Sequence, residues 1–158
     1  MAVVQGNVPR TRSLAEQARV RGVAENHARE TAKPAEAVRR GKIERFDVVP
    51  WPGNALDSDP TRGPSLGVLV SRSVQDLERP ALVGTILRGP DGTSYNAGQP
   101  RLPDRGPAGF YAKRQLVSFG ECIPARGLLG GLGSLRLIPA TSPGYLGGAL
   151  AGRAGTAR

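Results

Sequence analysis

The segment Gly109 to Pro124, GFYAKRQLVSFGECIP, constrains the fold more than any other stretch of the chain. It follows a loop rich in proline and glycine and brings Lys113, Arg114, Glu121 and the sole cysteine, Cys122, close to Leu116, Val117 and Phe119. Any fold must sink those three apolar side chains into a core while its charged neighbours stay solvated or paired. A cation and a carboxylate held beside such an anchor form a charged site in one reading. In the other, Lys113 and Arg114 are surface charges and Glu121 is a partner for one of them.

The remainder of the chain offers little to build a core from. Glycine (22) and proline (14) are abundant in 158 residues, whereas tryptophan, tyrosine and phenylalanine number 1, 3 and 3. The length suits one domain of modest stability and does not suit two. One cysteine excludes an internal disulfide framework and a multi-cysteine metal site, and one histidine adds little, so neither a metal nor a cofactor is expected. A net charge of +9, carried mostly by arginine, favours phosphate-rich partners. No apolar run is long enough to span a bilayer and no leader precedes a cleavage site, so the chain as written is expected to remain cytoplasmic.

Ala2 to Val8 reads as a buried strand closed by Pro9. Ser13 and Glu16 form a capping-box pattern that opens a helix from about Leu14 to Thr31, on whose thin apolar face sit Leu14, Ala18, Ala24 and Ala28. His27 within it is read as structural. Pro34 should break the pattern, leaving AEAVRRGKIERF room only for a short second helix. Phe46, Val48, Val49 and Trp51 read as a strand that Pro50 forces to end early or to lie at an edge. Pro52 to Pro64 reads as loop, and Leu66 to Val74 fits the helical and the strand period equally. Ala81 to Leu87 reads as a strand, Asp91-Gly92 as a hairpin turn, and Gln99 to Gly109 as irregular loop. After Pro124 the sequence becomes glycine-rich, and Thr141 to Arg158 is expected to be poorly ordered.

YAKRQLVSFGECIP resembles the Y-x-K-x-H-L-V-P-F-G-E-Y-[IV]-P segment of the apolipoprotein N-acyltransferases, nitrilase-fold enzymes that add the third acyl chain to bacterial lipoproteins. AVVQGNVPR is similar to the first strand of that family, DVVPWPGNALDSDP to its V-V-x-W-P-E-[NS] strand end, and LVGTILRGPDGTSYNAG more weakly to the strand pair that follows. The resemblance covers residue 2 to about 140 and implies an α/β fold, the first half of a layered αββα nitrilase-like sandwich. Residues 1–140 would form this partial domain and 141–158 a low-complexity tail.

Nitrilase-type catalysis requires a cysteine nucleophile, a glutamate base and a lysine that stabilises the oxyanion. By resemblance the lysine falls on Lys113 and an additional glutamate on Glu121, the two candidate catalytic residues. The base position is occupied by Gly53, which cannot accept a proton. The nucleophile would lie some fifty residues past the F-G-E motif, beyond residue 158. Cys122 stands where the family has tyrosine and reads as a small apolar side chain. Asp57 and Asp59 follow Gly53 in a loop and are not favoured as substitutes. Gln115 and Ser118 also depart from the motif.

The resemblance thus implies a partial acyltransferase, inactive by itself. Its partners would be a phospholipid acyl donor, an apolipoprotein acceptor and a C-terminal remainder of the enzyme. The family is anchored in the cell membrane with its catalytic domain outside the cytoplasm, in contrast to the soluble character read from this chain. The main alternative is a basic, non-enzymatic module that binds nucleic acid or anionic lipid surfaces, although no nucleic-acid motif or stacking aromatics accompany the arginines. A soluble amidase would need the same missing glutamate.

Overall fold

The computed structural model describes residues 1–7, 16–53, 55–90 and 92–116. Two helices, α1 (Glu16–Arg39) and α2 (Pro64–Leu77), lie against one face of a five-stranded sheet. The strands are β1 (Val49–Pro50), β2 (Ala81–Arg88), β3 (Ser94–Leu102), β4 (Gly106–Pro107) and β5 (Tyr111–Ala112). β1 runs parallel to β2, β2 pairs antiparallel with β3, and β4 and β5 both pair with β3. The expected α/β class is the fold observed.

α1 does not stop at Pro34, as the sequence suggested, but continues through it to Arg39. A proline in a helix interior removes a backbone bond and costs about 3 kcal/mol. The buried stripe explains why the helix persists: Val23, Ala24, His27 and Thr31 precede the proline at helical spacing, and Ala35 and Val38 extend the same stripe into the core beyond it. Packing on that stripe outweighs local preference. The expected second helix is therefore the last turn of α1, closed by bonds from Arg40 to Glu36 and from Gly41 to Val38, with Gly41 at φ +67°. Ser13 of the predicted cap lies outside the described residues.

The ambiguous Leu66 to Val74 is helical. Pro64 occupies the first turn of α2, where its missing donor has no role, and Val70, Val74 and Leu77 are buried at spacings of four and three. They meet Val49, Trp51, Ala81 and Val83 of the sheet.

β1 is shorter than the strand expected from Phe46 to Trp51, and Pro50 is placed where it does little harm. Val49 and Trp51 donate to Pro80 and Leu82 of the β2 side, so the nitrogen of Pro50 points the other way. On that other side residues 1–7 lie extended along β1, with Ala2 and Val4 donating to the carbonyls of Val48 and Pro50 at 3.3 and 3.4 Å. The first expected strand is thus an extended flank of β1, and Val8 lies outside the described residues.

The segment expected as loop, Gln99 to Gly109, is largely sheet. β3 stays in register with β2 to Arg101, and Leu102 turns through Pro103 to Arg105 into β4, with Gly106 at φ +72°. Its prolines hid the strand. Pro100 turns its carbonyl to the amide of Ala108 and so its nitrogen away from β2, leaving the β2–β3 ladder intact. The hairpin expected at Asp91-Gly92 joins β2 to β3, with Gly92 at φ +82° and Gly89 donating to Thr93. Among the described residues no helix is long and apolar enough to cross a membrane.

Candidate active site

The base position read from the sequence lies on a short excursion between two pairings with β2. After Trp51 donates to Leu82 the chain leaves the sheet, and it returns at Leu56, which donates to Gly84 and accepts from Ile86. Ala55 closes the excursion by donating to the carbonyl of Pro52 at 3.1 Å. The excursion folds over Gly84: a methyl group there would fall on the Pro52 carbonyl oxygen and within 2.8 Å of the Gly53 Cα. Gly84 is needed for this close approach. Gly53 is exposed, and a Cβ added to it would meet no atom of the described residues within 4 Å. Sterics therefore do not impose glycine at position 53, and a longer side chain has room.

A buried clamp holds the start of the excursion against α1. The indole of Trp51, 3% exposed, donates to the Thr31 hydroxyl at 2.8 Å, and that hydroxyl donates to the His27 carbonyl at 2.8 Å. The His27 ring lies 5.3 Å from the Trp51 ring, with Nδ1 2.8 Å from the Val23 carbonyl and Gly6 packed closely against the ring. Nε2 has no hydrogen-bond partner among the described residues. Asn26 donates to the Asn7 carbonyl and ties the amino-terminal segment to the same helix. His27 is a packing residue, as expected. The Trp51–Thr31 link was missed, although Thr31 falls one turn after His27 on the same stripe.

Lys113 follows β5 and extends its register by one residue, its amide donating to the Asn96 carbonyl at 2.7 Å. Strand alternation places Lys113 on the face of Tyr111, which pairs with Gly98 as Gly98 pairs with Gly84. Gly53 thus lies over Gly84 of β2 and Lys113 beside Asn96 at the far side of β3, two strand spacings across the sheet and two residues along it, on the order of 12 Å between backbones. Lys113 is half-buried. Glu121 and Cys122 lie outside the described residues.

The two aspartates after Gly53 have structural roles. Asp57 is exposed and pairs with Arg19 at 3.0 Å. Asp59 is buried and accepts from the Thr61 hydroxyl, the Thr61 amide and the Arg88 amide, bracing the loop against the end of β2. Burial alone would raise its carboxyl, but these bonds, with Arg62 nearby, hold it below the usual carboxylate range. Arg101 is 2% exposed and bonds Gln99 at 3.0 Å and Ser71 at 3.2 Å. Burial depresses its basicity, and Asp59 partly offsets this. A cavity of about 320 Å³ lined by Asp59, Leu87, Tyr95, Gln99 and Phe110 adjoins this cluster. Leu87, Tyr95 and Gln99 belong to the helix-covered face, so the cavity is separate from Gly53. Among the described residues no three histidine, cysteine, aspartate or glutamate side chains form a metal-binding group.

The chain is 31% identical over 156 residues, 92% of its length, to an apolipoprotein N-acyltransferase of Mycolicibacterium smegmatis (strain ATCC 700084 / mc(2)155). It spans about a quarter, 26%, of that relative. No protein-family model matches it. Among solved structures it is similar to an N-terminal amidase crystallised with an Asn-Glu-Ala peptide, with a TM-score of 0.54 and 16% identity over 73% of this chain and 28% of that one. It is also similar to a carbon-nitrogen hydrolase from Helicobacter pylori G27, with a TM-score of 0.51 and 16% identity over 92% of this chain and 44% of that one. The structural likenesses show the fold, a mixed α/β arrangement matching part of a nitrilase-like domain. Sequence and fold bear out the resemblance read from the motifs.

Proposed function

We propose, for a chain related in sequence to apolipoprotein N-acyltransferase and in fold to carbon-nitrogen hydrolases, that it is the amino-terminal part of an acyl-transfer domain and is catalytically incompetent by itself. Residues 1–140 form the partial domain and 141–158 a tail. In the complete reaction a thiolate attacks the carbonyl carbon of a phospholipid ester, the lysolipid alkoxide leaves with a proton, and a thioester remains. The amino group of a lipoprotein's first cysteine then displaces the thiol and forms an amide. Lys113 stabilises the oxyanion in this scheme, and Glu121 supplies a second carboxylate to the site.

The observation that carries the reading is the excursion at Gly53. It sits at the end of a parallel strand with space in front of it among the described residues, yet position 53 itself carries no carboxylate. A thiol without a proton acceptor remains a weak nucleophile at neutral pH. The test incubates the chain with a fluorescent phospholipid and scores hydroxylamine-labile acyl-protein. No labelled protein is expected from this chain or from Gly53→Glu alone. Co-expressed with the portion of the Mycolicibacterium smegmatis relative that follows its matched segment, Gly53→Glu is expected to yield a thioester. Adding Lys113→Ala should lower its rate at least about a hundredfold. A thioester formed by the unaltered chain alone overturns the proposal.

A further inference from the structure

On the helix side of the sheet, the cavity of about 320 Å³ between β3, β5 and the loop before α2 has no part in the scheme above. Small residues open it: Ala112 of β5 pairs with Ala97 of β3, and two methyl groups leave space that longer side chains would fill. Tyr95 and Gln99 lie on the same face of β3, two positions to either side of Ala97, and the β3–β5 register continued by one residue sets Phe110 beside Gln99. Leu87, paired with Tyr95, and Asp59 from the loop extend the lining. The walls are mostly apolar, and the rings of Tyr95 and Phe110 suit a flat aromatic guest.

Gln99 supplies the polar end. It is 4% exposed, and its amide oxygen accepts from Arg101 Nε at 3.0 Å. A guanidinium only donates, so this bond fixes which way the amide points, and Arg101 is itself held by Ser71 of α2 at 3.2 Å. The amide nitrogen of Gln99 is therefore turned away from Arg101, and its two N–H donors have no acceptor among the described residues. Buried donors call for an acceptor. The charges around the cavity choose its sign. Arg88 lines the space, Arg101 backs Gln99, and Arg62 lies 3.9 Å from Asp59, whose oxygens already accept from Thr61 and from the Arg88 amide. Among the described residues here, three arginines thus stand against one aspartate. We propose that the cavity binds a small aromatic carboxylate, its carboxylate accepting from the Gln99 amide and its ring lying over Ala112 toward Tyr95. At the roughly 30 Å³ that each molecule occupies in liquid water, the space holds about ten non-hydrogen atoms, the size of 3-phenylpropionate. The proposal does not rest on the acyl-transfer reading.

The test titrates 3-phenylpropionate into the full 158-residue chain by calorimetry, with ligand-observed NMR as a second readout. A dissociation constant of about 1 mM or tighter is expected. Gln99→Glu keeps an oxygen for Arg101 but removes both donors and adds a like charge, and should weaken binding at least about tenfold. Ala112→Leu, which fills the floor of the cavity, should weaken it as much, whereas Tyr111→Ala on the opposite face of β5 should leave it unchanged. 3-Phenylpropanamide, of the same shape without the charge, should bind at least about tenfold more weakly. If Gln99→Glu fails to fold, Ala112→Leu decides. Absence of binding at about 10 mM overturns the proposal, whether the cavity stays empty or residues 117–158 fill it. Binding indifferent to both substitutions, or equal affinity for the amide, overturns it equally.

Discussion

Gly84→Ala isolates the packing on which the candidate site rests. The added methyl falls on the Pro52 carbonyl oxygen and 2.8 Å from the Gly53 Cα, both of them backbone atoms. Relief requires the 52–55 excursion to lift off β2 by about 1 Å, which strains the Trp51–Leu82, Leu56–Gly84 and Ile86–Leu56 bonds of 2.8, 3.0 and 3.1 Å. Overpacking of this kind costs about 1–3 kcal/mol and a weakened backbone bond about 1 kcal/mol more, offset by roughly 0.5 kcal/mol from the stiffer unfolded chain. The expected loss is about 2–3 kcal/mol, a large part of the stability of a small domain. Gly98→Ala, one strand over, is the control. Its methyl meets only the Leu82 Cδ1, at 3.3 Å on a half-exposed flexible side chain, so its effect should stay within about 0.5 kcal/mol of zero. Urea unfolding followed by the emission of Trp51, the only tryptophan and the neighbour of the excursion, reads both variants. Equal midpoints for Gly84→Ala and Gly98→Ala would refute the close approach.

Two further substitutions probe other parts of the fold. Asp59→Asn should remove part of the acid sensitivity of the chain. A carboxyl held below its usual range in the native state contributes stability that is complete above its unfolded pKa of about 4 and is lost as pH falls through the lower native value. Urea midpoints between pH 2 and 6 should therefore fall less steeply for Asp59→Asn than for the unaltered chain, and parallel curves would contradict the assignment. Pro34→Ala should restore a helix bond to the Glu30 carbonyl and raise stability by about 1–3 kcal/mol, and a lower thermal midpoint by circular dichroism would show that the proline is needed.

Hydrophobic period and turn chemistry made β2, the Asp91-Gly92 hairpin and most of α1 legible in the sequence. The expectation at Pro50 held, since β1 ends there at the margin of the sheet. The errors at Pro34 and in Gln99 to Gly109 share a cause, because a single sequence reveals a missing donor but not the direction in which it points. At Pro100 that direction is away from β2, and at Pro34 the buried stripe spans the interruption. The candidate site rests on motif rather than on period. Gly53 and Lys113 were singled out by motif, and the structure places Gly53 over Gly84 of β2 and Lys113 beside Asn96 of β3. The clamp of Trp51 on Thr31 and the bracing of Asp59 by Arg88 join residues twenty and twenty-nine positions apart, which no local pattern encodes.

The orientation of two imide nitrogens also bears on how the domain opens. Because Pro50 and Pro100 both face outward from the central strand, β2 keeps its bonds on either side while the strands flanking it each forgo a link to their outer neighbours. Cohesion is thus concentrated along a single line through the sheet. Amide protons of Val83 to Ile86 should be the last to exchange with solvent, with fraying that starts at both margins and travels inward.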